Sequence, residues 1–230
     1  RQLIACAVAT LATLALTPAG SVLATASLVA AVLGSSAGAG AVALCVISCV
    51  VLGVWWLWAG RTDGLSSCAI ILPACTLNPL MGAPIAAFSE SAPKAAVTAL
   101  ASWMLAFMVA ALAPMGPNVT PGLSSLPARL LTLPTLISCV SAPIAAACGA
   151  LATQRWRSVK SGIAGQLLCA MLLALAQLAA LRVENGDVWS LANWVYISAA
   201  LFLCMILCFM VVVRGPLPTD GEVEKFNESA

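Results

Sequence analysis

From Gln2 to Val213 the chain runs through long apolar stretches separated by short polar breaks, and none of the stretches carries a polar face along its length. A helix needs about 20 apolar residues to cross the hydrocarbon core of a bilayer. Eight stretches are predicted as spans on that ground: Gln2–Thr17, Ser21–Leu33, Ala41–Ala59, Ser66–Phe88, Ala95–Ala113, Leu130–Ala152, Gly162–Leu181 and Trp189–Val213. The first two are short, and a shallow hairpin is the alternative for that pair. Thr17-Pro18-Ala19-Gly20 and the Gly/Ser/Ala run from Gly34 to Gly40 supply the first two breaks. The expected fold is all-α, a polytopic transmembrane helix bundle of about eight spans over residues 1–213. A solvated, mildly acidic tail over 214–230 follows it, with no span of its own.

Composition sharpens the class. Hydrophobic residues make up 62% of the chain and charged residues 8%, against a charged share of roughly a quarter in soluble domains. A soluble protein of this length needs polar surface on every helix. The expected location is therefore the cell membrane, in a multi-pass arrangement with the lipid bilayer as first partner. A net charge of +2 gives no argument for nucleic acid. The chain has no histidine, which removes the Ser-His-Asp triad, His-liganded zinc and the H-E-x-x-H helix together. Of ten cysteines, eight (Cys6, Cys45, Cys49, Cys139, Cys148, Cys169, Cys204 and Cys208) sit inside apolar runs, and no C-x-x-C occurs. They read as small packing residues. No metal, cofactor or catalytic residue is expected.

Lys and Arg in short loops set orientation. With eight alternating spans, Arg61, Arg129 and Arg182 share one side. Lys94, Arg155, Arg157, Lys160 and Arg214 share the other, with Arg1 and Lys225. Seven against three places the second side, and both termini, in the cytoplasm. Trp55, Trp56 and Trp58 close the third span, and Trp189, Trp194 and Tyr196 open the eighth, as headgroup-level anchors on the outer side; Trp156 does the same on the inner side. The loop from Pro114 to Pro127 holds four prolines and the sequon Asn118-Val119-Thr120. It is expected as an extended outer flap.

The fourth span is the one place where chemistry is predicted. Between Ser66 and Pro84 it carries Pro73, Pro79 and Pro84, with Asn78 and Gly82. Each proline removes a backbone donor and frees the carbonyl four residues back, and such breaks survive in lipid only where protein or water satisfies the freed groups. One reading is a polar intramembrane pocket at Thr76, Asn78 and Gly82, as in transporters with broken helices. The other is a kinked helix packed in the bundle centre. Leu133-Pro134 and Ala142-Pro143-Ile144-Ala145-Ala146 echo the fourth span two spans later, through duplication or chance. Arg155-Trp156-Arg157-Ser158-Val159-Lys160 is a compact basic loop. Arg155, Trp156, Arg157 and Lys160 are candidate contacts for anionic headgroups, against a plain role in enforcing topology. No charge lies in the middle third of any span, which argues against proton relays and ion-coupled carriers. Asn78, Gln166, Gln177 and Asn193 suit interhelical hydrogen bonds.

The order Trp55-Trp56-Leu57-Trp58-Ala59-Gly60-Arg61, the Pro-rich run to Ala86-Ala87-Phe88, then Ala92-Pro93-Lys94-Ala95-Ala96 and Leu126-Pro127-Ala128-Arg129-Leu130 resembles the C-terminal membrane region of actinobacterial-type serine/threonine protein kinases. The likeness covers about residues 50–190, and none of that family's catalytic residues maps onto it. It implies a non-catalytic membrane anchor or sensor module, with a cytoplasmic kinase domain attached before Arg1. The Arg1 start is read as a cut from a longer polypeptide. The alternative from a different class is a small permease or transporter component with its substrate site at the broken fourth helix.

Overall fold

The computed structural model describes residues 39–60, 64–112, 130–156, 158–185 and 191–214. The first two expected spans, the Pro-rich loop with its sequon and the tail beyond Arg214 lie outside them. Every element among the described residues is helical. α1 (Ala39–Trp55) ends in a π-helical turn, Trp56–Gly60. α2 (Gly64–Thr76), α3 (Gly82–Ser89), α4 (Ala92–Leu112), α5 (Leu133–Trp156), α6 (Val159–Asn185) and α7 (Leu191–Arg214) follow.

Three stretches are long and apolar enough to cross a membrane: Leu133–Gln154 in α5, Val159–Val183 in α6 and Trp194–Val213 in α7. At 1.5 Å per residue they measure about 30–38 Å, against about 30 Å of hydrocarbon. They answer to the sixth, seventh and eighth expected spans. Val46–Ala59 and Ala92–Met108 are shorter apolar helices at the third and fifth.

The fourth expected span is not one helix. Ser66–Phe88 divides into α2 and α3, separated by the non-helical segment Leu77–Met81. A Cβ added to Gly82 would stand 2.8 Å from the carbonyl oxygen of Ala69. A continuous helix would hold residues 13 positions apart at about 20 Å, so the chain has folded back on itself. Only Glu90 and Ser91 separate α3 from α4, and Gly82 also packs on Ser102. α3 therefore runs antiparallel to α4. The Trp55 indole donates to Thr98 Oγ1 and the Ser48 hydroxyl approaches Met108 Sδ, so α1 too is antiparallel to α4 and ends near its start. Gly64 is four residues on from Gly60, and α2 must start at that same end. α2 and α3 form a helical hairpin that enters and leaves at one end of the protein. The strict alternation of eight spans does not hold through this region.

Depth is set by contacts of the hairpin with α5–α7. The Asn78 amide reaches the carbonyl of Tyr196 near the start of α7, the Gln166 amide reaches the carbonyl of Pro84, and the Gln154 amide reaches the carbonyl of Glu90 near the end of α5. The turn of the hairpin thus lies toward the end where α7 begins, and its open side lies where α5 meets α6.

Beside a few large residues such as Trp103, the main core is built mostly of small ones. Twelve of the twenty buried residues in the main core are alanines, among them Ala83, Ala86, Ala87, Ala142, Ala145 and Ala146. Large apolar residues point outward along the same helices, including Met171 and Leu175 on α6 and Phe202, Met205 and Phe209 on α7. A water-soluble core would bury the large residues and expose the small ones. Association inside lipid is driven by close backbone approach, for which small residues are needed.

The α5–α6 seam shows how close that approach is. A Cβ on Gly165 would meet Thr153 Oγ1 and stand 2.5 Å from the carbonyl oxygen of Gly149. Backbone cannot give way as a flexible side chain can. Gly53 on α1 has nothing within 4 Å of its added Cβ. Gly165→Ala is therefore expected to lower the detergent-unfolding midpoint by the equivalent of about 1–3 kcal/mol. Gly53→Ala should leave it unchanged or raise it slightly, since alanine is the better helix former. Far-UV circular dichroism during titration of mixed micelles with SDS measures both.

Candidate functional site

The hairpin turn gathers the three residues singled out for a pocket. Pro73 has no N–H to offer the Ala69 carbonyl, and that carbonyl lies against the Cα side of Gly82. Only glycine fits between Ala69 and the Ser102 hydroxyl there. Thr76 closes α2, its hydroxyl donating to the Leu72 carbonyl at 2.7 Å and lying 3.3 Å from Met81 Sδ. Leu77 then takes a left-handed φ of 56°, which costs a non-glycine residue roughly 1–2 kcal/mol.

Asn78 holds the turn together. It is 2% exposed, and its Nδ2 donates at 3.0 Å to the Tyr196 carbonyl on α7. Its Oδ1 accepts from the Leu80 N–H at 3.1 Å. Its own N–H donates to the Pro73 carbonyl and its own carbonyl accepts from the Met81 N–H. One side chain closes the turn locally and ties it to a helix 118 residues away. Thr76, Asn78 and Gly82 are thus brought to one place, with their polar atoms bonded to the protein. Gly82 is filled in by its neighbours.

Other polar side chains act in the same way. Gln166, fully buried on α6, donates to the Pro84 carbonyl of α3, and Gln177 donates to Ser138 Oγ on α5. These are the interhelical bonds expected of the two glutamines. Trp103 Nε1 also donates to Ser138 Oγ, at 3.0 Å, a tie that an indole in an apolar run did not signal. Trp55 departs from its expected role. It is 1% exposed and bonded to Thr98, so it packs between α1 and α4, while Trp58 on the same turn is exposed.

At the other end, Arg155 and Trp156 close α5 and Lys160 opens α6, its side chain exposed. Arg157 lies outside the described residues. The turn is capped reciprocally: the Ser158 N–H donates to Ser161 Oγ, and the Ser161 N–H donates to Ser158 Oγ. The Ser161 hydroxyl also reaches the Thr153 carbonyl at 3.1 Å. Cys139, Cys148, Cys169, Cys204 and Cys208 form no disulfide, and no group of three His, Cys, Asp or Glu among the described residues could hold a metal.

The chain matches no known family model, no curated protein and no solved structure.

Two substitutions separate the parts of the turn. Asn78→Leu keeps the branched shape and removes the bonds to Tyr196 and Leu80, leaving buried partners unsatisfied. A loss of about 1–3 kcal/mol is expected, read as a lower detergent-unfolding midpoint. Leu77→Gly relieves the left-handed strain and should raise the same midpoint, or leave it unchanged.

Proposed function

We propose that the chain is a non-catalytic integral membrane domain, the anchor or sensor module of a longer signalling protein. The observation that carries this reading is the distribution of side chains: Met171, Leu175, Phe202, Met205 and Phe209 face outward on the long helices, over a core in which alanine is the commonest residue. The kinase-like order of features makes a serine/threonine protein kinase the candidate parent. Nothing in the described residues resembles a reacting constellation, and the polar atoms at the hairpin turn are committed to structure.

The hairpin supports one orientation over the other. The hairpin does not alternate sides, so Arg61, next after Gly60, groups with Lys94, Arg155, Arg157, Lys160 and Arg214. Arg129 and Arg182 stand opposite. Of the eight Lys and Arg between Arg61 and Arg214, six then share one side, where strict alternation gave five. That is the stronger cytoplasmic bias. The start of α1 then faces outward, and a cytoplasmic kinase domain before Arg1 requires an odd number of crossings upstream of Ala39. Only one of Gln2–Thr17 and Ser21–Leu33 would span in that arrangement. The basic α5–α6 junction is the part of the domain suited to anionic headgroups on the cytoplasmic face.

A second reading is favoured by one feature, the paired half-helices α2 and α3. Interrupted helices of this kind hold substrate in transporters. The two readings differ in whether water reaches the turn.

Impermeant thiol labelling of the full chain, reconstituted in vesicles on a cysteine-free background, tests both points. Thr62→Cys and Ser158→Cys should label from one side and Ser124→Cys from the other. Thr62→Cys labelling together with Ser124→Cys would overturn the orientation. Thr76→Cys and Met81→Cys should resist a charged reagent and react with a lipid-soluble maleimide. Rapid labelling of both by the charged reagent would favour the permease.

A further inference from the structure

The outer face of α5 and α6 carries a long shallow groove of about 610 Å³, lined by Leu136, Val140 and Ile144 on one helix and Leu172, Leu175 and Ala176 on the other. The one polar residue in its wall, Ser141, spends its donor on the Ser138 carbonyl at 3.1 Å, so the wall is almost wholly apolar. It is open along its length, with Val140, Ile144 and Leu175 at least half exposed. Leu136 to Ile144 measures about 12 Å along the helix axis. That is close to half the hydrocarbon thickness of a bilayer, the depth of a single leaflet.

Arg182 lies in the last turn of α6 and is exposed. It follows Leu175 by seven positions, so it sits on the same helix face two turns further on, about 10 Å beyond it. At the start of α5, the hydroxyls of Thr132 and half-buried Thr135 are hydrogen-bonded to each other at 2.7 Å. An apolar channel one leaflet deep, with a guanidinium and hydroxyls at its mouth, has the polarity of a phospholipid. Arginine is the side chain best matched to a phosphate, through its forked donors. In the orientation proposed above Arg182 also lies on the side that positive charge usually avoids, and a bound anion supplies a reason for it.

We propose that the α5–α6 groove is a binding site for one anionic phospholipid of the leaflet at the α6–α7 end, with its phosphate on Arg182 and an acyl chain between Leu136–Ile144 and Leu172–Ala176. The proposal rests on the reading of the chain as membrane-embedded. It is separate from the headgroup contacts proposed for Arg155, Arg157 and Lys160 at the other end.

Native mass spectrometry of the detergent-purified full chain tests it, with dioleoyl-phosphatidylglycerol as probe. One tightly held lipid is expected, retained several-fold better than dioleoyl-phosphatidylcholine or the dihexanoyl form of the same headgroup. Arg182→Gln should cut its occupancy at least fivefold, and Leu175→Trp, which fills the groove, by a similar factor. Arg157→Gln should leave that tight lipid in place. Loss of the lipid on Arg157→Gln but not on Arg182→Gln would move the site to the basic junction and overturn the proposal. Retention of the dihexanoyl form equal to the dioleoyl form would also overturn it, as would no retained lipid on a helical protein. Failure of the membrane reading itself is distinguishable, since the chain would then stay monodisperse with no detergent present.

Discussion

Every peptide N–H and carbonyl that enters hydrocarbon must find its partner within the protein, because no water is there to supply one. A regular helix meets that demand automatically, as α6 and α7 do; α5 does so except at Pro143, which has no N–H to offer the Cys139 carbonyl. The hairpin of α2 and α3 does not, since its prolines withdraw donors and its turn abandons the helical pattern between Leu77 and Met81. Asn78 answers for the turn, with its amide and its backbone bonded on four sides. Gly82 lets the Ala69 carbonyl, which Pro73 leaves without its helical donor, lie where a side chain would otherwise stand. The interior of the protein is built around this one irregular element. α4, α5, α6 and α7 all touch it, and the long polar ties of Gln154, Gln166 and Asn78 run to it from helices distant in sequence.

Once the interior is arranged this way, the use of small residues follows. Two short helices and a turn must be enclosed without wide gaps, so the surrounding helices present alanine and glycine on their inner faces. The Gly149–Gly165 contact between α5 and α6 and the Gly162–Val211 contact between α6 and α7 are places where even a methyl group would collide. The large residues displaced from the interior face outward, where lipid receives them at no cost. The outward-facing large side chains and the broken helix are two sides of one arrangement.

Much of this was legible in the sequence. The three long spans follow from length and hydropathy, and their boundaries fall within a few residues of those expected. Pro73, Asn78, Pro79 and Gly82 marked the place where the fourth span would break. What the pattern did not reveal was the sense of the break. A kink and a full reversal leave the same prolines in the sequence, and the difference lies in whether Gly82 returns to Ala69, a tertiary contact. The same limit applies to Trp55. Its position at the end of an apolar run fits a headgroup anchor, and only the closeness of Thr98 on α4 shows that it turns inward. Strict alternation separates Arg61 from Lys94, whereas the orientation proposed above groups them.

The reversal is the claim on which orientation and core packing both rest, and a distance tests it most directly. Spin labels at positions 65 and 91 of the full chain in lipid nanodiscs bracket the hairpin, and pulsed dipolar spectroscopy reads their separation. Packed helices lie 8–10 Å apart between axes, so with two label arms a distance of about 20 Å or less is predicted. An uninterrupted helix would hold the same positions about 39 Å apart, and a distribution centred there would contradict the account.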